Sequence, residues 1–324
     1  MEQPKIFYFC FSDNQTSGGN KQIYKHVDIL NKYGYQAFVL HPTEEFKITW
    51  FSHYTKIVDL NTFNELFDKE RDFIVLPEDL GTDILTFPGK KLIFNQNVYY
   101  GFHSFQSKKP EVYPYLYPEV KGVLVVSEHN KRYLNFAYPK LDIFRVCSGI
   151  DREIFSWQPL SKKKKKIACN PAKRPLDISL LYHILQSRSE QGLNVLEEYE
   201  WIFIENKTET EVAQIMQESL MFVFLSKEEG LPLMPLEAMA CGCLVIAYDV
   251  APLTEYLPSP FLFEPGDLLG ISKTIETVTQ SFPGDIEKWE TISETYQNIL
   301  LQYSLQKEEE SLITVWKTIL QKEQ

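Results

Sequence analysis

Two glutamates eight positions apart, Glu229 and Glu237, bracket the stretch EGLPLMPLE, an apolar segment interrupted by one glycine and two prolines. It follows the strand-like run MFVFLS, and a loop leaving a parallel strand lies at the sheet edge where open α/β sheets bind ligands. Pro235 suits the first turn of a helix and Gly242 suits its far cap, so PLEAMAC is expected to form a short helix with Glu237 in its first turn. The N–H groups and dipole at such a helix start favour an anionic group, and a carboxylate there accepts from the two hydroxyls of a ribose. Glu229 would then reach the other end of the same ligand. Spacing alone leaves a second reading open, in which Glu237 complements the helix dipole and Glu229 is a solvated loop charge.

A second stretch, SDNQTSGGNKQIYKHVDIL, places Gly18 and Gly19 in a strand-to-helix turn before a helix expected over 20–32. Glycines there let backbone N–H groups approach a phosphate. The same pair also makes ordinary turns, and the G-x-G-x-x-G spacing of a dinucleotide site is absent. A third stretch, FNQNVYYGFHSF, follows a strand and offers Asn97, Tyr99, Tyr100 and His103 as acceptor or sugar contacts, against the alternative of an aromatic core under a loop. The tyrosines of VYPYLYP (112–118) read as packing more readily than as sugar stacking. The six histidines show no ligand spacing, and Cys241 and Cys243 have no nearby third ligand, so no metal site is expected.

These residues need a scaffold, and the hydrophobic pattern supplies one. Short apolar runs recur between helix-like polar stretches, the pattern of parallel strands joined by helical crossovers. KIFYFCF (5–11), QAFVL (36–40), FIVL (73–76), KLIF (91–94), GVLVV (122–126) and IFRVC (143–147) form one set. KIAC (166–169), WIFI (201–204), MFVFL (221–225), CLVIAY (243–248) and FLF (261–263) form another. Between them DREIFSWQPLSKKKKK breaks all periodicity and reads as the linker. Its five lysines are either a solvated approach to the next strand or a patch for anionic lipid headgroups. Two amphipathic helices are expected in 285–324, one carrying Trp289, Ile292, Tyr296, Ile299, Leu300 and Tyr303, the other Leu312, Val315, Trp316 and Ile319.

A chain of 324 residues exceeds the usual growth of one core, which agrees with two α/β domains. The expected boundaries are 1–155, 156–284 and a pair of helices over 285–324 that pack across both domains. A formal charge of −11 argues against nucleic acid as a partner. Five cysteines without C-x-x-C pairing point to buried thiols in a reducing compartment. The N-terminus has no signal-peptide pattern and no run of 18 apolar residues occurs, so a cytoplasmic protein is expected, with any membrane contact peripheral at the inner face.

The run EGLPLMPLEAMACGCLVIAYD resembles the glutamate, seven residues, glutamate signature of retaining GT-B glycosyltransferases of family four, the glycogen-synthase-like group 1 enzymes, whose usual loop is similar to E-G-F-G-L-P-x-L-E-A-M-A-C-G. The likeness extends to the G-G turn after the first strand, SGID (148–151) leading into the second domain, and the basic turn PAKR (171–174). It implies an α/β GT-B fold, two Rossmann-like domains facing a central cleft, with a mainly acceptor-binding first domain and a donor-binding second. It also implies hexose transfer from a nucleotide-diphosphate sugar as co-substrate to a glycan, lipid-linked or small-molecule acceptor, with no cofactor and no metal.

By the same resemblance Glu229 contacts the donor sugar and stabilises positive charge at the anomeric carbon, while Glu237 holds the ribose. Gly230, Leu231 and Leu233 form the donor loop, and Lys173 and Arg174 neutralise the diphosphate, which Gly18 and Gly19 also face. Three positions depart from the pattern. Pro232 replaces its second glycine and removes one N–H, Met234 replaces a proline, and Ala172 stands where relatives carry arginine. Two other functions fit such a chain: a nucleotide-sugar-binding regulatory protein without transfer, and a sugar-nucleotide epimerase.

Overall fold

The computed structural model describes residues 3–103, 112–258 and 261–323. The chain divides into two compact units, Met1–Gly149 with Leu305–Gln324, and Ile150–Ser304.

In the first unit the chain runs β1 (Lys5–Phe9), α1 (Gly18–Lys32), β2 (Gln36–Leu40), β3 (Ile57–Val58), α2 (Leu60–Leu66), β4 (Phe73–Pro77), β5 (Lys90–Asn95), α3 (Val98–His103), β6 (Val120–Val125), α4 (Glu128–Ala137) and β7 (Ile143–Arg145). The strands form one sheet in the order β3-β2-β1-β4-β5-β6-β7, parallel at each pairing. Continuous apolar runs make these strands because helices cover both faces of a parallel sheet. All five residues of β4, for example, are buried. The two-residue β3, paired with β2, is the strand that the sequence pattern does not show. The strand order reverses between β1 and β4, and open α/β sheets bind ligands beyond the carboxyl ends of such a pair.

The second unit contains β8 (Lys164–Cys169), α5 (Pro175–Glu190), β9 (Glu200–Phe203), α6 (Glu209–Glu218), β10 (Ser219–Phe224), α7 (Leu233–Ala240), β11 (Leu244–Tyr248), β12 (Leu262–Phe263), α8 (Leu268–Ser281) and α9 (Ile286–Ile299). Its parallel sheet has the order β12-β11-β10-β8-β9, and the reversal falls between β8 and β10. The five cysteines are free, with Cys10, Cys169, Cys241 and Cys243 buried.

The division falls at 149/150, ahead of the expected 155/156, because residues 154–156 are already tied into the second unit: the Gln217 side chain donates to the Ile154 carbonyl and to Ser156 Oγ. The closing stretch is split rather than shared. Helix α9 stays with the second unit, burying Trp289 and Tyr296. The last helix, α10 (Leu305–Lys322), returns to the first unit, where Trp316 is fully buried and its indole N–H donates to Tyr8 Oη at 3.1 Å. Leu312, Val315 and Ile319 share its buried face, as their spacing predicts.

The lysine run is part of the scaffold. Lys163 is buried and donates to the carbonyls of Met216 (2.9 Å) and Cys241 (2.7 Å). Lys164 and Lys166 pair with Glu218, and Lys165 with Glu198. Among the described residues no helix is long and apolar enough to cross a membrane.

Candidate active site

Because β8 and β10 flank the reversal point of their sheet, the segments leaving them must meet. After β8 the chain turns sharply, the Ala172 N–H donating to Asn170 Oδ1 at 2.9 Å, and the turn delivers Lys173 and Arg174. After β10 it delivers Ser226 and Glu229. Lys173 Nζ lies 3.3 Å from Glu229 Oε1, and Ser226 Oγ donates to the same oxygen at 2.8 Å. The Glu229 side chain is 10% exposed and the Lys173 side chain 42%, so the carboxylate is held inside the turn while the ammonium faces outward.

Arg174 behaves differently from its neighbour. Its guanidinium grips Asp177 through Nε and Nη2, both at 3.1 Å, and Asp177 also accepts from Tyr248 Oη at 2.8 Å. Burial alone would raise the Asp177 carboxyl, but Arg174 and Tyr248 outweigh it and hold it below the usual carboxylate range. Of the two expected phosphate cations, Lys173 is the one brought to the glutamate.

Helix α7 starts at Leu233, two residues earlier than its prolines suggest, with Pro232 as the residue before its first turn. Pro235 falls third in the helix, where its missing N–H has no intrahelical partner to lose. Glu237 therefore sits two residues further along the helix than expected, and the first turn carries no acidic residue. The far end matches expectation. Gly242 takes a left-handed φ of 85°, its N–H reaches Met239 O (3.0 Å), and the Cys243 N–H reaches Ala238 O (2.9 Å). A Cβ at Gly242 would collide with the Gln158 carbonyl.

Gly230 and Leu231 are buried, and Leu233 is half-buried. Two side chains without a local sequence signal fix this loop. Tyr256, buried, donates its hydroxyl to the Pro232 carbonyl at 2.7 Å. Burial first, then charges that include Glu229 and Glu237, hold that hydroxyl well above its ordinary pKa. Asn170 Nδ2 donates to Met234 Sδ at 2.9 Å and joins the β8 turn to α7.

In the first unit Gly18 and Gly19 are the opening residues of α1 rather than part of the preceding turn, and Ser17 Oγ caps the helix by accepting from the Asn20 N–H at 3.4 Å. The helix gains these two residues because the Ser17 cap, not the glycine pair, marks its start. A Cβ on Gly19 would stand 2.9 Å from the Gln96 side-chain oxygen, so Gly19 packs directly against Gln96 of the 94–103 stretch. There Asn97 is 7% exposed, and its Oδ1 accepts from the Tyr99 N–H at 3.0 Å. Tyr99 Oη lies 3.1 Å from Nε2 of His129. Tyr100 and His103 are exposed at the outer side of α3, their rings 6.4 Å apart. His129, one residue into α4 beyond its Ser127 cap, is the histidine that composition and spacing do not single out. Tyr115 of the VYPYLYP stretch is core, stacked 4.8 Å from Tyr138.

Residues 189–281 match the family model described as glycosyl transferases group 1. The second unit carries a glycosyltransferase domain. The matched segment includes β10, the Glu229–Glu237 loop and α7. Over 256 residues the chain is 28% identical to an α-1,6-glucosyltransferase of Actinobacillus pleuropneumoniae serotype 7, covering 75% of this chain and 72% of that protein. In structure it resembles sucrose-phosphate synthase of Thermosynechococcus elongatus (TM-score 0.68, 13% identity, 98% of this chain and 99% of that one). It also resembles HepE of Anabaena, solved with UDP and glucose (TM-score 0.66, 14% identity, 98% and 100%). At such identities the likeness is one of fold: an α/β GT-B fold of two Rossmann-like parallel-sheet domains.

Proposed function

We propose that this glycosyltransferase moves glucose, with retention at the anomeric carbon and without a metal, from a uridine-diphosphate sugar to a hydroxyl of a glycan, lipid-linked or small-molecule acceptor. The observation that carries the reading is the meeting of Lys173 and Glu229, 3.3 Å apart, at the reversal point of the second sheet. As the bond from C1 to the diphosphate breaks, negative charge grows on the diphosphate and positive charge on C1. A preorganised cation and carboxylate supply one partner for each. Lys173 is assigned to the diphosphate, Glu229 to the sugar and Glu237 to the ribose hydroxyls. Gly18 and Gly19 offer backbone N–H groups to a phosphate, and Asn97, Tyr99, Tyr100 and His103 are assigned to the acceptor side. Glucose is chosen from the name of the Actinobacillus relative, and uridine from the ligand of the Anabaena structure.

The test is turnover of UDP-glucose with a panel of glucoside acceptors, followed by release of UDP and by the anomeric configuration of the product. An α-linked product supports retention, and a β-linked one contradicts it. Conversion of the donor sugar with no acceptor present identifies an epimerase instead. One observation favours a binding protein without transfer: Pro232 has no N–H, and its carbonyl is taken by Tyr256. That reading expects binding without turnover, and turnover gained when Pro232→Gly is combined with Ala172→Arg.

A further inference from the structure

A cluster of buried polar side chains lies beneath α3 at the carboxyl ends of β4, β5 and β6. Glu78, immediately after β4, is 5% exposed, and its Oε1 accepts from the Asn97 N–H at 2.6 Å. Asn95, the last residue of β5, is fully buried and donates through Nδ2 to Tyr115 Oη at 2.9 Å. Asn130 of α4, also fully buried, donates through Nδ2 to Asn95 Oδ1 at 3.1 Å and to the Asn95 carbonyl at 3.3 Å. Helix α3 rests on this cluster at a glycine. A Cβ added to Gly101 would stand 2.9 Å from Asn95 Nδ2 and 2.6 Å from Tyr115 Oη.

Burying so many polar groups is costly unless each is needed and paired, and a half-satisfied network is worse than an apolar one. An apolar layer could support a six-residue helix. What an apolar layer cannot do is fix the Gln96–Asn97 turn, whose N–H groups point down into the sheet edge. We propose that Glu78 is a positioning residue for the acceptor side: its carboxyl holds the Asn97 turn, and through it the Asn97 amide and the Tyr99–His129 pair, in the orientation that receives a sugar hydroxyl.

The geometry supports each link. One carboxyl oxygen fixes the backbone of Asn97, the Asn97 side chain fixes the N–H of Tyr99, and the Tyr99 hydroxyl meets His129. Burial pushes the Glu78 carboxyl up to about 8, opposed by the N–H groups of Gln96 and Asn97 and helped by the Asp79 charge. A neutral side chain at this position therefore keeps the interaction, and glutamine reproduces both its shape and its accepting oxygen. The inference rests on the acceptor-side reading given above. It makes Glu78, which acts through the backbone of Asn97, selective for acceptor over donor.

The experiment compares the unmodified chain with Glu78→Gln and Glu78→Ala in UDP release from UDP-glucose, using methyl β-D-glucopyranoside as acceptor probe. Glu78→Ala is expected to raise the KM for the probe at least tenfold while the KM for UDP-glucose stays within twofold, and Glu78→Gln is expected to stay near the unmodified chain in both. Donor and acceptor KM rising together, an unchanged acceptor KM in Glu78→Ala, or loss in Glu78→Gln equal to that in Glu78→Ala overturns the proposal. If Glu78→Ala does not fold, Tyr115→Phe, which removes only the hydroxyl that accepts from Asn95, must show the same split at smaller size. If the unmodified chain releases no UDP, the functional reading fails by itself. The variants are then compared by ligand-observed NMR of the methyl glucoside: loss in Glu78→Ala with retention in Glu78→Gln sustains the positioning role, and equal binding, or none to any form, ends it.

Discussion

Lys173 Nζ and Glu229 Oε1 stand 3.3 Å apart although 56 residues separate them, because their two segments leave strands on either side of the sheet's reversal point. The pair is one-sided. Ser226 also holds the buried carboxylate, whereas the Lys173 side chain is 42% exposed. The two residues therefore have separable tasks. Glu229→Ala is expected to lower kcat by about 10²-fold or more while leaving UDP affinity near that of the unmodified chain, the size seen when one charge-stabilising group is removed. Glu237→Ala is expected to do the reverse, weakening UDP about tenfold with a smaller effect on turnover, and steady-state kinetics with UDP as inhibitor separates the two. Equal, negligible effects would place the site elsewhere.

Tyr256 supports the loop between Glu229 and Glu237 through its hydroxyl, so Tyr256→Phe isolates that contribution. Removing the hydroxyl leaves the Pro232 carbonyl without this partner in a buried place, which costs about 1–3 kcal/mol of stability. Chemical denaturation measures that loss. The KM for UDP-glucose is expected to rise in the same variant, since Pro232 is the residue from which α7 starts.

Helix α10 is fastened to the first unit by Trp316, whose ring also meets Phe73 edge-on at 5.7 Å. Trp316→Ala is expected to cost about 3–5 kcal/mol, the usual range for emptying a large aromatic site. Hydrogen exchange should show the change in α10 and β1, with the second-unit strands unaffected.

Acid sensitivity is expected from two buried histidines. Burial lowers the His41 ring to about 4, and its neutral form is fully used, one ring nitrogen against the Cys10 carbonyl at 2.8 Å and the other against Tyr24 Oη at 2.6 Å. Burial lowers His26 further, to about 3. Between an unfolded value of about 6.5 and these folded values the unfolded chain binds more protons, so stability falls as pH drops through that window. Glu78, held up to about 8, acts in the opposite sense over the same window, so the histidine contribution is read from the difference between proteins: unfolding free energies measured from pH 7 to pH 4 should fall less in His41→Gln than in the unmodified chain.

Much of the fold was legible because parallel strands are continuous apolar runs. QAFVL forms β2 over the expected residues, KIAC lies in β8, and WIFI and MFVFL each run one residue past the ends of β9 and β10. The two-residue β3 carries too few residues for any period. Boundaries moved where capping overruled composition: Ser17 draws Gly18 and Gly19 into α1, and Pro232 lets α7 begin before Pro235. Glu229 stands out in the local sequence and Lys173 through the family resemblance, and Arg174's engagement by Asp177 is a local i,i+3 contact at the start of α5, but Tyr256's grip on Pro232 and His129's pairing with Tyr99 join positions distant along the chain. No periodicity encodes such contacts. The tail divided between units for the same reason, since Trp316 is one of several equally apolar residues until Tyr8 is placed beside it.

Lys173, held beside Glu229, is assigned to the diphosphate of a nucleotide. Isothermal titration of UDP into the unmodified chain and into Lys173→Ala tests it most directly, because the Lys173 side chain is exposed enough for its removal to leave the fold intact. Saturable binding of one UDP per chain, weakened at least tenfold in the variant, is expected. Equal affinity in both proteins, or no binding to either at millimolar UDP, would contradict it.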